Sequence, residues 1–167
     1  KGQAHYVTRG PTRVFLFGQR GQRLPKWFSG CDWGAQIHYQ ATTLLPEISS
    51  SYLSEYGHGR FAVKISCREL AALEMLYHVP QLQGFDEAML LMENLTTLRP
   101  QMVQLLLPSC RFVKVKRLFL YMAERAGHPW FGKLDASSID LGKGKRVIIK
   151  SGTLDPKYEI TVPKGQA

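Results

Sequence analysis

The sequence has little cysteine, no long apolar run and fewer acidic than basic residues. Cys31, Cys67 and Cys110 are odd in number and far apart, with no CxxC and no Cys/His cluster. That argues against a disulfide framework and for a reducing, cytoplasmic setting, with all three thiols read as small buried hydrophobes. No stretch approaches the roughly 20 apolar residues of a membrane span. The longest candidate, Met102 to Pro108, is broken by Gln104. The start carries no signal-peptide core and no Met, so the chain reads as a fragment with something upstream. Also missing are GxSxG, HExxH and Walker spacings. The five histidines (His5, His38, His58, His78 and His128) stand in unrelated contexts. No metal and no cofactor is implied.

What is abundant is positive charge: 22 basic against 13 acidic residues, a formal net charge of +9. Its placement says more than its total. In residues 1–46, Lys1, Arg9, Arg13, Arg20, Arg23 and Lys26 face only Asp32. In 47–110, four basic residues meet seven acidic ones, and in 111–167 twelve meet five. A positive field at both ends suits a polyanion, nucleic acid first. A merely soluble basic surface is the plainer alternative.

Patterning predicts an α+β fold: a mixed β-sheet packed against a layer of about four helices, with a C-terminal β-hairpin. The chain reads as one domain, 1–167, with 1–65 mainly β, 66–126 helical, and 127–167 loop and hairpin. Residues 13–17 and 61–65 are short apolar strands, 35–41 alternates as a half-buried strand does, and 47–60 looks like a surface loop. Ser66 and Glu69 fit a capping box, opening a helix with Leu70, Leu73, Leu76 and Tyr77 on one stripe. A second helix runs from Asp86 to about Leu95, with Met89, Leu90, Met92 and Leu95 mostly inside. Pro100 suits the first turn of a third. The fourth, from about Arg111 to Ala126, places Phe112, Val115, Leu118, Phe119 and Met122 on an apolar face. Lys114, Arg117, Tyr121 and Arg125 fall on another face, with Lys116 near its edge. Gly127 can take a left-handed cap before Pro129. Residues 145–150 and 157–162 read as two strands joined by a loop over 151–156.

Two groups of cations are the candidate nucleic-acid contacts. Lys114, Lys116 and Arg117 lie on the amphipathic helix, and Lys143, Lys145 and Arg146 follow in a glycine-punctuated stretch, Gly142-Lys143-Gly144-Lys145-Arg146. Both sets could neutralise phosphates without reading bases. For a single basic helix, an ordinary solvated face is the commoner meaning. A metal-dependent nuclease would need acidic residues near a lysine. Lys64 with Glu69 and Glu74 is the nearest approach, and it is weak because Glu69 already has a capping role.

Several segments together resemble AbiEi-type antitoxins. Ser66-Cys67-Arg68-Glu69-Leu70-Ala71-Ala72-Leu73-Glu74 is similar to a helix start of that family, and Cys110–Leu120 to its signature helix. Ala126-Gly127-His128-Pro129-Trp130, Ile139–Val147, Phe15-Leu16-Phe17-Gly18 and Leu24-Pro25-Lys26-Trp27-Phe28 resemble further segments in the family's order. The resemblance implies an antitoxin and transcriptional repressor of a type IV, abortive-infection toxin–antitoxin system, and no enzyme. It implies an N-terminal winged helix that binds promoter inverted repeats, and no such segment is present in this chain. The domain present here would give antitoxicity and support DNA binding through its basic surface. The functional partner would be a nucleotidyltransferase-like toxin, without required stable contact, and a homodimer on DNA is possible. The alternatives are a nuclease-like or modification-reversing enzyme, and a dimerisation or protein-interaction module.

Overall fold

The structure is a computed structural model that describes residues 12–166. Lys1, Arg9 and His5, counted above, lie outside the described residues, as does the start of the chain. The chain divides into two compact units, one ending at Thr43 and the other starting at Leu44. The sequence reading treats them as one domain.

In the first unit, β1 (Arg13–Gln19) and β2 (Gln36–Thr42) pair in parallel, with Arg13 opposite Gln36 and Gln19 opposite Thr42. Parallel strands need a crossover rather than a tight turn. Here it holds a turn closed by Gln22 N–H on the Gln19 carbonyl, then Pro25 and the four-residue helix α1 (Lys26–Ser29). Tyr39 on β2 donates its hydroxyl to the Gln22 carbonyl at 2.9 Å, which ties the crossover to the sheet. A side chain at Gly18 would collide with the Tyr39 ring. His38 stacks on Phe15, ring centroids 5.1 Å apart, as a half-buried polar side chain of a strand.

The second unit begins with an antiparallel hairpin, β3 (Leu53–His58) and β4 (Phe61–Ser66), tied to the next helix by Cys67 N–H on the Tyr52 carbonyl. β3 falls inside the stretch read as loop. Beyond Leu53, which packs against the core at the base of the hairpin, its residues show no buried apolar face to set an alternation. Phe61 is 83% exposed, and Val63, Ile65 and Tyr56 are exposed on the same face. Four helices follow: α2 (Arg68–Tyr77), α3 (Phe85–Asn94), α4 (Pro100–Ser109) and α5 (Val113–Ala126). Their apolar stripes meet in one core. Leu70, Leu73 and Leu76 come from α2, Met92 from α3, Val103, Leu106 and Leu107 from α4, and Val115, Leu118, Phe119 and Met122 from α5. Leu90, expected inside, is exposed. Pro100 opens α4, and Gly127 closes α5 in the left-handed region at φ 66°.

The chain ends in a three-stranded sheet of order β5-β7-β6, made of β5 (Arg146–Val147), β6 (Thr153–Asp155) and β7 (Ile160–Val162). The α+β class and the C-terminal hairpin are as expected, and the strands of the described residues are spread over three small sheets. The hairpin partners differ from those expected. β7 pairs antiparallel with β6, which lies inside the predicted loop, and parallel with β5. The turn sits at Asp155–Glu159, where the Asp155 carboxylate accepts the Tyr158 N–H at 2.7 Å and Glu159 takes φ 50°. Cys67 and Cys110 are buried, but Cys31 is exposed, against its expected burial.

Candidate nucleic-acid interface

α5 passes through the middle of the second unit, and all its central residues from Val115 to Ala123 are buried. The reason is local and visible. Leu118-Phe119-Leu120-Tyr121-Met122-Ala123 is apolar around the whole circumference, so no side of those turns can face water cheaply. The cations of the preceding turns follow the helix inward.

Their environment is made of carbonyl oxygens. Lys114 Nζ donates to the Tyr77 carbonyl at 2.9 Å and the Val79 carbonyl at 2.6 Å. These are acceptors at the C-terminal end of α2, where carbonyls lack intrahelical partners and the helix dipole favours a cation. Burial holds the Lys114 ammonium below its ordinary pKa. Lys116 does the same for α4, donating to the Pro108 carbonyl at 3.3 Å and across to the Asp140 carbonyl at 3.1 Å.

Arg117, 1% exposed, is the most constrained of the three. Its Nε donates to the Leu141 carbonyl at 2.8 Å, and Nη2 to the Gly142 carbonyl at 3.0 Å. Nη1 donates to the carbonyls of Gly144 at 2.7 Å and Glu159 at 3.3 Å. The Glu159 carboxylate sits 3.1 Å from Nη2 and balances the charge. A buried guanidinium is stable only when its donors and charge are matched, and here both are.

The expectation that Lys114, Lys116 and Arg117 form a solvent-facing basic surface is therefore corrected. All three are turned inward, and none is exposed. Long basic side chains can cover apolar surface while their heads find polar partners, and here the partners are backbone rather than water.

The loop that Arg117 grips is the one carrying the other three candidates. Its carbonyls at 141, 142 and 144 point at the guanidinium, and the Asp140 carboxylate accepts the Gly142 N–H at 2.8 Å. Gly142 has φ 60° and lies against Val113, so a side chain there would be both strained and crowded. With the carbonyls turned in, Lys143 and Lys145 stand exposed. Arg146 is half-buried; its Nη1 folds back on the Gly144 and Lys145 carbonyls at 3.1 Å each. Its N–H donates to the Glu159 carbonyl where β5 meets β7. The structure thus brings Lys116 and Arg117 together with Lys143, Lys145 and Arg146 around one loop, the first two beneath it. Lys114 serves a different place, the end of α2.

The acidic candidates are also engaged. The capping box at Ser66 and Glu69 does not form: Cys67 is the N-cap of α2, with no side-chain cap bond. Glu69 instead accepts the Arg99 N–H at 2.8 Å, Nε at 3.1 Å and Nη2 at 2.9 Å, anchoring the start of α4. Burial alone would raise its pKa, but the Arg99 guanidinium and N–H outweigh that and hold it at about 2. Lys64 stands exposed on β4. Glu74 is 6% exposed, and burial pushes its carboxyl up to about 7 against an opposing bond from Ser66.

The model of a family described as transcriptional regulator, AbiEi antitoxin of the type IV toxin–antitoxin system, matches residues 11–163. No curated protein and no solved structure gives a significant match. With nearly the whole chain covered, it belongs to the AbiEi antitoxin family of transcriptional regulators. Among the described residues, no helix is long and apolar enough to cross a membrane.

Proposed function

We propose that the chain is the antitoxin and repressor component of its toxin–antitoxin system, and that it supports DNA binding through the loop 142–146. The observation that supports this is the grip of Arg117 on that loop, which leaves Lys143 and Lys145 exposed on a backbone with little freedom. A preformed loop loses less entropy on binding than a loose one. Its cations contact phosphates and carry no sequence information. Base reading falls to a winged helix of the kind the family resemblance implies. Arg146 adds charge at the edge of the same loop, while Lys116 and Arg117 act beneath it as positioning residues. Two copies on inverted repeats belong to the same reading, because a palindromic operator mirrors protein two-fold symmetry. The functional partner is a nucleotidyltransferase-like toxin that need not be held in stable contact.

Anisotropy with a duplex from the protein's own promoter tests the reading. Lys143→Glu with Lys145→Glu weakens duplex binding and flattens its salt dependence. Unchanged affinity and slope reject the loop as the contact.

A further inference from the structure

The described part of the first unit carries a surface that the duplex reading does not use. Trp27 is 67% exposed and Trp33 46% exposed, whereas Trp130 is buried. Two indoles left in water forfeit a large apolar gain, and such patches mark interaction sites. These two are held in place. Trp33 Nε1 donates to the Phe28 carbonyl at 2.9 Å, and its ring stacks on Phe28 with centroids 4.7 Å apart and planes at 30°. Trp27 meets Phe28 edge-on, 5.7 Å between centroids at 72°.

Arg20, Arg23 and Lys26 stand exposed in the same stretch of chain. Among the described residues, the ion pairs are Arg99–Glu69, Arg117–Glu159 and Lys157–Glu124, so none of these three cations meets a carboxylate. The one acidic residue between 12 and 43, Asp32, accepts the Gly34 N–H at 2.9 Å and shapes the turn beside Trp33.

Open aromatic faces in one stretch of chain with unbalanced cations match one ligand chemistry closely. Unpaired bases offer a π-face, and the strand that carries them offers phosphates. A duplex hides those faces in its own stack, so the indoles gain nothing from it. An ordinary protein surface would leave three cations without counter-charge.

We propose that Arg20, Arg23, Lys26, Trp27 and Trp33 form a binding site for single-stranded nucleic acid. Trp27 provides the stacking face, Trp33 on Phe28 a second one, and the three cations neutralise the phosphates. This goes beyond the duplex reading: it concerns another unit of the chain and another ligand.

The test is fluorescence anisotropy of the whole chain with a labelled oligothymidylate of about 20 nucleotides, beside a duplex of the same length. Trp27→Ala weakens the oligothymidylate about tenfold, the scale of one base–aromatic stack, and leaves the duplex unchanged. Trp27→Tyr, which keeps a stacking face, restores most of the affinity. Bound oligothymidylate quenches tryptophan emission in the parent protein and much less in Trp27→Ala. Arg23→Ala with Lys26→Ala flattens the salt dependence of single-strand binding. Because Trp27 is exposed, its loss leaves thermal unfolding in place. No binding of oligothymidylate, affinity indifferent to Trp27→Ala, or an equal loss for strand and duplex overturns the proposal. The Lys143 and Lys145 substitutions leave single-strand affinity unchanged, so this proposal and the duplex reading fail independently.

Discussion

The cations of α5 and those of the loop that follows carry the same charge and do opposite work. Lys114, Lys116 and Arg117 face inward and hold backbone carbonyls of α2, α4 and the 140–144 loop. Lys143 and Lys145 face outward, and their ammonium groups hold nothing within the described residues. The difference is one of packing rather than of residue type. Where the helix is apolar on all sides, a basic residue becomes a staple; where its staples pull the carbonyls inward, the next basic residues become a surface.

Four substitutions test that contrast. Arg117→Met leaves the Leu141 and Gly142 carbonyls without a donor and the half-exposed Glu159 carboxylate without its cation, and destabilises by about 4 kcal/mol, from two acceptors at about 1–3 kcal/mol each. Urea unfolding measures it. Carboxylates offer a parallel contrast, since Glu69 has its cation and Glu74 has none among the described residues. A carboxyl raised from 4.5 to about 7 binds its proton more tightly folded than unfolded, so it stabilises fully below about pH 4.5 and loses that stability as pH rises through 7. Glu74→Gln is therefore more stable than the parent at pH 8, by on the order of 3 kcal/mol, and equal to it near pH 4. Glu69, held at about 2, has the reverse sign and loses its contribution as pH falls from about 4.5 toward 2. Lys116→Met leaves the end of α4 and the Asp140 carbonyl unpaired and lowers stability by about 1–3 kcal/mol. Lys143→Ala changes stability by no more than about 0.5 kcal/mol, and equal thermal midpoints confirm it.

The sequence shows the helices well, because their apolar stripes are local. Leu70, Leu73 and Leu76, or Val115, Leu118, Phe119 and Met122, repeat at helical spacing, and the start of α4 at Pro100 and the cap of α5 at Gly127 are written in single residues. It shows partners poorly where they are distant. Glu69 looks like half of a capping box with Ser66 three residues away, yet its partner is Arg99, 30 residues on. Arg117 looks like a surface cation, yet its acceptors lie 24 to 42 residues away. A signal for its burial is present: the cations at 114, 116 and 117 have Leu118, Leu120 and Tyr121 four residues on, not acids, and six apolar residues in a row follow. β3 was hidden because its exposed faces impose no alternation, and β6 because Asp155-Pro156 dominates the reading as a turn. The exposed pair Trp27 and Trp33 could be found only from accessibility, since tryptophan in a sequence most often means core.

The most direct measurement is the salt dependence of duplex affinity for Lys143→Ala with Lys145→Ala, set beside the parent and its thermal midpoint. The slope of log affinity against log salt falls in magnitude by roughly 2, about 0.9 for each phosphate no longer neutralised, while the midpoint stays where it was. An unchanged slope would place the polyanion elsewhere and contradict the account.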